Sequence, residues 1–214
     1  MSLDRERAEQ DLHVIRSLME RATVYRAISA PTAFCAALFS IGGAITVHQA
    51  DLRSRQFAAV WLVVLVLALL ANTFFVWREA KRDRRPLISA PMKMAMRAVI
   101  PCLIIPAAVT IWFLGVGYLG GQELLLVGAW VAFYGLALLS TTIFAPRSLV
   151  ILGWCFLISA LGLPVIANSD LVTLNGAELA NLLMAITFGG YHLVYALCTW
   201  RRRARAEVPE LSFE

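Results

Sequence analysis

Six long apolar segments occupy most of this chain, and hardly any ionisable residue lies inside them. About 20 helical residues cross a hydrocarbon core about 30 Å thick, and a helix satisfies its own backbone hydrogen bonds there. The sequence therefore predicts an all-α polytopic membrane protein with six transmembrane helices in residues 27–200. These helices, called crossings 1 to 6, are expected at residues 27–47, 57–77, 94–118, 123–144, 148–168 and 178–199.

Basic residues are distributed unevenly among the segments that flank the crossings. Of the 19 Lys and Arg residues, all but Arg53 and Arg55 lie in four places. These are residues 1–26 (the head), the surroundings of the connection between crossings 2 and 3, the connection between crossings 4 and 5, and residues 201–214 (the tail). The positive-inside rule assigns this side to the cytoplasm, so both termini are predicted to be cytoplasmic. Topology and lipid contact explain the net charge of +5, and we expect no nucleic-acid partner.

Residues 1–26 are predicted to form an amphipathic cytoplasmic helix, and residues 201–214 a basic cytoplasmic tail. An apolar stripe at spacings of three and four runs along the head, formed by Leu12, Ile15, Met19 and Ala22. This helix could lie on the inner leaflet of the membrane, or it could dock onto a protein partner. In the second case these four residues are the candidate docking residues.

Similar sequence recurs at an offset of 55 residues, which indicates duplicated helical hairpins. The hairpin of crossings 1 and 2 shares only a shorter match with the hairpin of crossings 3 and 4, Ser29-Ala30-Pro31 with Ser89-Ala90-Pro91. We therefore predict three hairpins, formed by crossings 1–2, 3–4 and 5–6. Repeats also occur in transporters, but duplication by itself does not indicate transport. The matches at this offset are Ala90-Pro91 with Ala145-Pro146, Glu123 with Glu178, and Phe133, Gly135 and Leu138 with Phe188, Gly190 and Leu193.

Polar residues inside or beside the crossings are the candidates for a ligand or transport site, because such residues often mark function in a bilayer. His192 is expected to bond to a tyrosine or the backbone, or alternatively to bind a polar ligand or a tetrapyrrole magnesium. Glu123 and Glu178 are expected to cap their helices, Glu178 with the capping-box spacing from Asn175, or alternatively to form a paired cation site. The full candidate set is His192, Tyr191, Tyr195, Asn181, Asn72, Glu123 and Glu178.

No catalytic motif or metal-binding motif stands out in the sequence. Cys35, Cys102, Cys155 and Cys198 lie within the crossings without a CxxC pair, so we expect them to pack as small apolar residues and to hold no metal or cofactor. The chain is 60% hydrophobic and 15% charged, and its polar segments are too short for a water-soluble catalytic domain. We therefore predict no catalytic residues and no enzymatic activity.

The segment Ile15-Arg16-Ser17-Leu18-Met19-Glu20-Arg21-Ala22-Thr23, followed by an apolar first crossing, resembles the start of a group of uncharacterised bacterial membrane proteins. These are short six-helix chains that open with a similar IRxxMER segment. Their first crossing typically begins with a Ser-Gly pair, where this chain has Ser29-Ala30-Pro31. The resemblance implies a multi-pass protein of the bacterial inner membrane.

Short outer loops and a larger inner face favour a protein that works by contact. We expect an accessory, scaffolding or sensory subunit whose cytoplasmic face binds a partner protein in the cytoplasm or the membrane, or a second copy of the chain. The alternative is a small transporter or channel for an apolar or weakly polar solute, based on the duplicated hairpins, the His192 region and an expected kink at Pro101 and Pro106. A pigment or metal carrier is a third hypothesis.

Overall fold

A computed structural model describes residue 11 and residues 29–82, 90–116, 122–142, 145–168 and 174–206. These residues form helices and turns without a strand, which confirms the predicted all-α fold. The predicted docking stripe, Leu12, Ile15, Met19 and Ala22, lies outside the described residues. The helices are α1 (Ala30–Gln49), α2 (Ser54–Arg82), α3 (Ala90–Val116), α4 (Glu123–Leu139), α5 (Arg147–Ala167), α6 (Gly176–Met184) and α7 (His192–Ala206), with a π-helical segment (Ala185–Tyr191) between α6 and α7.

Five helices within the described part of the chain are long and apolar enough to cross a membrane. They correspond to predicted crossings 1, 2, 3, 5 and 6, the last being the continuous run through α6, the π-helical segment and α7. Helix α4 is apolar but has 17 residues, somewhat fewer than the about 20 that a crossing usually needs. The chain is thus consistent with a multi-pass membrane protein, and crossing 4 at α4 stays a prediction.

Small residues let α1 pack closely against its neighbours. Its buried positions are mostly Ala, Gly, Ser and Thr, and the helix lies against α2, the π-helical segment and α7. A Cβ atom on Gly43 would lie 2.7 Å from Val64 Cγ2, and one on Gly189 would lie 3.0 Å from Ile41 Cγ1. The side chains of Val64 and Ile41 thus fill the space that a methyl group on either glycine would need, so the glycines let these helices pack closely.

A close backbone contact joins α4 and α5 through two glycines. A Cβ atom on Gly135 would lie 2.9 Å from the carbonyl oxygen of Gly153. A Cβ atom on Gly153 would in turn lie 3.0 Å from Leu139 Cγ. Because the obstacles to a side chain on Gly135 include backbone atoms of α5, the two helices cannot separate locally without loosening the whole interface.

Helices α2 and α3 lie at the edge of the bundle. Helix α2 is buried through Phe57, Ala58, Trp61 and Val64, all in its first three turns. Helix α3 is attached to α4, where Trp130 Nε1 donates a hydrogen bond of 2.9 Å to Thr110 Oγ1. Much of the remaining surface of both helices is apolar and exposed.

The predicted arrangement of three hairpins stays a prediction. Helix α1 packs on α2, and α3 packs on α4, but α5 packs mainly on α4 and contacts the sixth crossing through the π-helical segment. Two glycines matched in the predicted repeat differ in packing. A Cβ atom on Gly190 would lie 3.9 Å from its nearest neighbour, the carbonyl oxygen of Ala185, whereas one on Gly135 would lie 2.9 Å from the carbonyl oxygen of Gly153. Helix α3 continues as helix through Pro101 and Pro106.

Replacing Gly135 by Ala is expected to destabilise the protein by about 1–3 kcal/mol, because the added methyl group overlaps the backbone of α5. Gly162→Ala is the matched control, since a Cβ atom added there would have no other atom within 4 Å, and removing glycine from a helix is usually favourable by up to about 1 kcal/mol. Thermal unfolding in detergent measures both variants. Equal melting temperatures for the two would contradict the close α4–α5 contact.

Candidate functional site

The sixth crossing contains a π-helical segment, Ala185–Tyr191, directly before His192. A π-helical turn inserts an extra residue per turn and often occurs at functional sites. Here it contains Gly189 and Gly190, and the Thr187 hydroxyl donates to the carbonyl of Leu183 at 2.7 Å. The segment changes the register of the helix, so the residues that follow it face a different direction from that of a regular α-helix.

His192 lies in the interior of the bundle and is 5% exposed. Its Nε2 shares a hydrogen bond of 2.8 Å with the hydroxyl of Tyr134 on α4. The backbone carbonyls of Thr187 and Phe188 lie near the ring, but Nδ1 has no partner in hydrogen-bond geometry among the described residues. The expected tyrosine partner of His192 is therefore confirmed, and it comes from another helix.

Aromatic rings surround the Tyr134–His192 pair. The ring of Tyr134 lies 4.7 Å from that of Phe156 and 5.1 Å from that of Phe188, measured between centroids. Phe188 also stacks on His192 at 6.1 Å with an angle of 10° between the planes. These four rings, called the aromatic cluster, come from α4, α5 and the sixth crossing, and they fill the space where the three helices meet.

The tyrosine that precedes His192 forms a second polar link to α5. The hydroxyl of Tyr191 shares a hydrogen bond of 2.8 Å with Ser159 Oγ, which also donates to the carbonyl of Cys155 at 2.8 Å. Tyr195, the other tyrosine of the predicted set, is buried one turn further along. Predicted candidates Tyr191 and His192 thus lie in one site, and both bond to side chains that sequence reasoning did not select.

Glu123 is the first residue of α4 and is 2% exposed. Its Oε1 accepts hydrogen bonds from the backbone N–H of Ser54 at 2.9 Å and from Ser54 Oγ at 3.4 Å. Ser54 begins α2 with a φ of 55°, in the left-handed region. Glu123 therefore satisfies an N–H at the start of α2, in addition to lying in the first turn of its own helix, while Oε2 has no hydrogen-bond partner within the described ranges.

Glu178 forms the capping box that its spacing predicts. The Asn175 side chain accepts from the Glu178 N–H at 3.0 Å, and Glu178 Oε2 accepts from the Asn175 N–H at 3.1 Å. The two duplicated carboxylates thus have different roles, one within its own helix and one between helices. The guanidinium of Arg53, whose pKa is raised first of all by its hydrogen bond to Asp51, lies within electrostatic range of both.

The two asparagines differ in their contacts. Asn181 Nδ2 donates to the carbonyl of Ala44 at 3.0 Å, which links α6 to α1. Asn72 Oδ1 is buried without a hydrogen bond from any described residue. Asn181 Oδ1 is likewise unpaired within the described segments.

The four cysteines are free thiols. Cys35, Cys102 and Cys155 are half-buried, and Cys198 is exposed. Among the residues that the structure describes, no group of three or more His, Cys, Asp or Glu side chains could hold a metal ion.

Sequence reasoning missed Tyr134, Phe156, Ser159 and the π-helical segment. One signal was available, because the 55-residue repeat places Phe133 and Gly135 opposite Phe188 and Gly190, and Tyr134 lies between the first two. The π-helical segment had only the adjacent Gly189 and Gly190 as a signal, and this pair is equally common at ordinary helix contacts.

Tyr134→Phe is expected to destabilise the bundle by about 1–2 kcal/mol, because it leaves both nitrogens of a buried His192 unpaired. Tyr191→Phe is the control. It removes one hydroxyl of the same kind, but Ser159 keeps its bond to Cys155, so the loss should be below about 1 kcal/mol. Unfolding in detergent, monitored by circular dichroism, distinguishes them, and a larger effect of Tyr191→Phe would contradict the assigned bond.

Asn175→Ala is expected to cost about 0.5–2 kcal/mol through loss of the capping box. The effect should be local, because Glu178 is exposed and bonds within its own helix. Hydrogen exchange should therefore accelerate in the first turn of α6 and remain unchanged in α4. Accelerated exchange throughout the bundle would show that the cap supports more than its own helix.

No protein-family model, curated protein or solved structure matches the chain. The resemblance of residues 15–23 to the IRxxMER group therefore stays a prediction.

Proposed function

We propose that this protein is a multi-pass membrane protein that works by contact, as an accessory, scaffolding or sensory subunit without enzymatic activity. The aromatic cluster is the observation that supports this proposal most. Its rings occupy the meeting point of α4, α5 and the sixth crossing, with centroid distances of 4.7–6.1 Å. A packed aromatic interior favours a rigid scaffold over a solute path, and it leaves the surface of the bundle as the functional part.

The proposed topology has six crossings, with α4 as the fourth, and both termini in the cytoplasm of a bacterial cell. After Glu123, helix α4 is apolar, and it packs between α3 and α5, which supports a membrane location despite its length. The excess of Lys and Arg on one side supports the orientation. A location in the inner membrane follows from the IRxxMER resemblance alone.

The cytoplasmic face would supply the docking surface. Besides the head, two helices extend toward this side with basic ends, α2 through Arg82 and α7 through Ala206. Four arginines lie in the last six residues of α7, at positions 201, 202, 203 and 205. A partner with an acidic surface would complement these ends, and the apolar stripe of the head would provide the specific contact.

Purification from native membranes in mild detergent, followed by mass spectrometry, tests the proposal. We expect a stoichiometric protein partner that is lost when residues 1–26 are deleted. Deletion of residues 207–214 serves as the control, because it shortens the chain at the same side and leaves the apolar stripe intact. A partner that survives deletion of the head would contradict docking through residues 1–26, and the absence of any partner would contradict the contact function.

One observation favours the alternative of a small-solute transporter. Glu123 Oε2, Asn181 Oδ1 and His192 Nδ1 are buried polar atoms without hydrogen bonds to the described residues, and buried polar groups normally have partners. A weakly polar solute could supply them. Flux of a solute panel into proteoliposomes, reduced by both His192→Ala and Glu123→Gln but not by Glu178→Gln, would establish this function in place of the first.

A further inference from the structure

The second half of α2 is the part of the described bundle with the least protein around it. Its fully buried residues end at Val64, and none of the following residues through Arg82 is fully buried. Large apolar side chains on the outward side are exposed, including Leu70 at 61% and Phe74 at 53%. This outward side of α2 therefore needs an apolar surrounding that the described chain does not supply.

The length of α2 places its last turns at the membrane surface. Helix α2 has 29 residues, and about 20 of them span a hydrocarbon core of about 30 Å. Counted from Phe57, where the predicted crossing 2 begins, the hydrocarbon region ends near Trp77. Arg78 to Arg82 then lies at the level of the lipid headgroups, with Trp77 at the boundary.

Aromatic and basic side chains contact one another in succession along the outward side of these turns. The rings of Phe74 and Trp77 have centroids 6.4 Å apart, and Lys81 Nζ lies 5.2 Å from the centroid of Trp77. Trp77 is itself 46% exposed. Such a contact holds the ammonium group beside the indole ring, at the depth where tryptophan prefers to lie in a membrane.

Positive charge is concentrated on this side of the helix. Arg78, Lys81 and Arg82 are all exposed. Glu79, the one acidic residue in these turns, is half-buried on the bundle side and makes a contact of its own. Part of the benefit of the basic residues comes from the helix dipole, because they lie at its negative end. The dipole does not explain why they adjoin an exposed aromatic and apolar surface.

We propose that the outward side of α2, from Leu70 to Arg82, is a binding site for an anionic phospholipid. The phosphate group lies among Arg78, Lys81 and Arg82, and the acyl chains lie along Leu70 and Phe74. A second copy of the chain is a poorer occupant of this surface. Copies in one membrane share one orientation, so a symmetric contact would bring two sets of these cations together at the same depth.

Native mass spectrometry of the purified protein with added phosphatidylglycerol or phosphatidylcholine tests the site. We expect preferential retention of phosphatidylglycerol, and a roughly 30-fold weaker affinity in Arg78→Gln/Lys81→Gln, since each cation near a membrane surface contributes about a fivefold effect. Lys93→Gln/Arg97→Gln on α3 is the matched control. It also removes two exposed cations spaced about one turn apart, and it should keep the lipid. Equal losses in the two variants would mean general electrostatic attraction and would overturn the site.

Hydrogen exchange in nanodiscs provides a test that needs no variant. Phosphatidylglycerol added to phosphatidylcholine nanodiscs should slow exchange in residues 65–82 of the unmodified protein more than in α5, which lacks a comparable basic end. Uniform slowing throughout the helices, or no slowing, would contradict the proposal.

Discussion

Close contact between helix backbones holds this bundle together. In a bilayer, apolar side chains gain little by leaving lipid for protein, so helices associate through van der Waals packing and hydrogen bonds. The structure follows this rule at α1, whose buried face is almost entirely small residues, and at Gly135 and Gly153 between α4 and α5. The remaining features of the core, including the position of the aromatic cluster, depend on these contacts because they set the distances between helices.

Polar side chains supply the second kind of contact, and each links two elements. Tyr134 connects α4 to the sixth crossing, Trp130 connects α4 to α3, Asn181 connects α6 to α1, and Glu123 connects α4 to the start of α2. Three of these four contacts involve α4, which explains how a helix of only 17 residues can lie at the centre of the bundle. The links also fix which faces of the helices meet, a choice that small residues alone leave open.

The sequence predicted the helices well because hydrophobicity is a local property. The expected crossings overlap all the observed helices, and the capping box of Asn175 and Glu178 follows from spacing alone. The site was harder to predict, because its contacts join residues that are far apart in the sequence. Tyr134 and His192 are 58 positions apart, and Glu123 and Ser54 are 69 apart. Glu123 is an example, because it bonds to Ser54 of α2, whereas its repeat partner Glu178 caps its own helix. Duplicated residues keep their type while their neighbours, and hence their contacts, diverge.

The contacts divide the bundle into a firmly packed core and a surface whose neighbours can change. Helices α1, α4, α5 and the sixth crossing are joined by contacts that tolerate no added atom or that bury a polar group, so they should move as one unit. Beyond Val64, α2 has no fully buried residue, and its outward apolar side chains face the surroundings of the bundle. A change of neighbour there leaves the core contacts intact. The proposed contact function requires such a division, because a lipid or a protein bound at α2 disturbs no contact of the core.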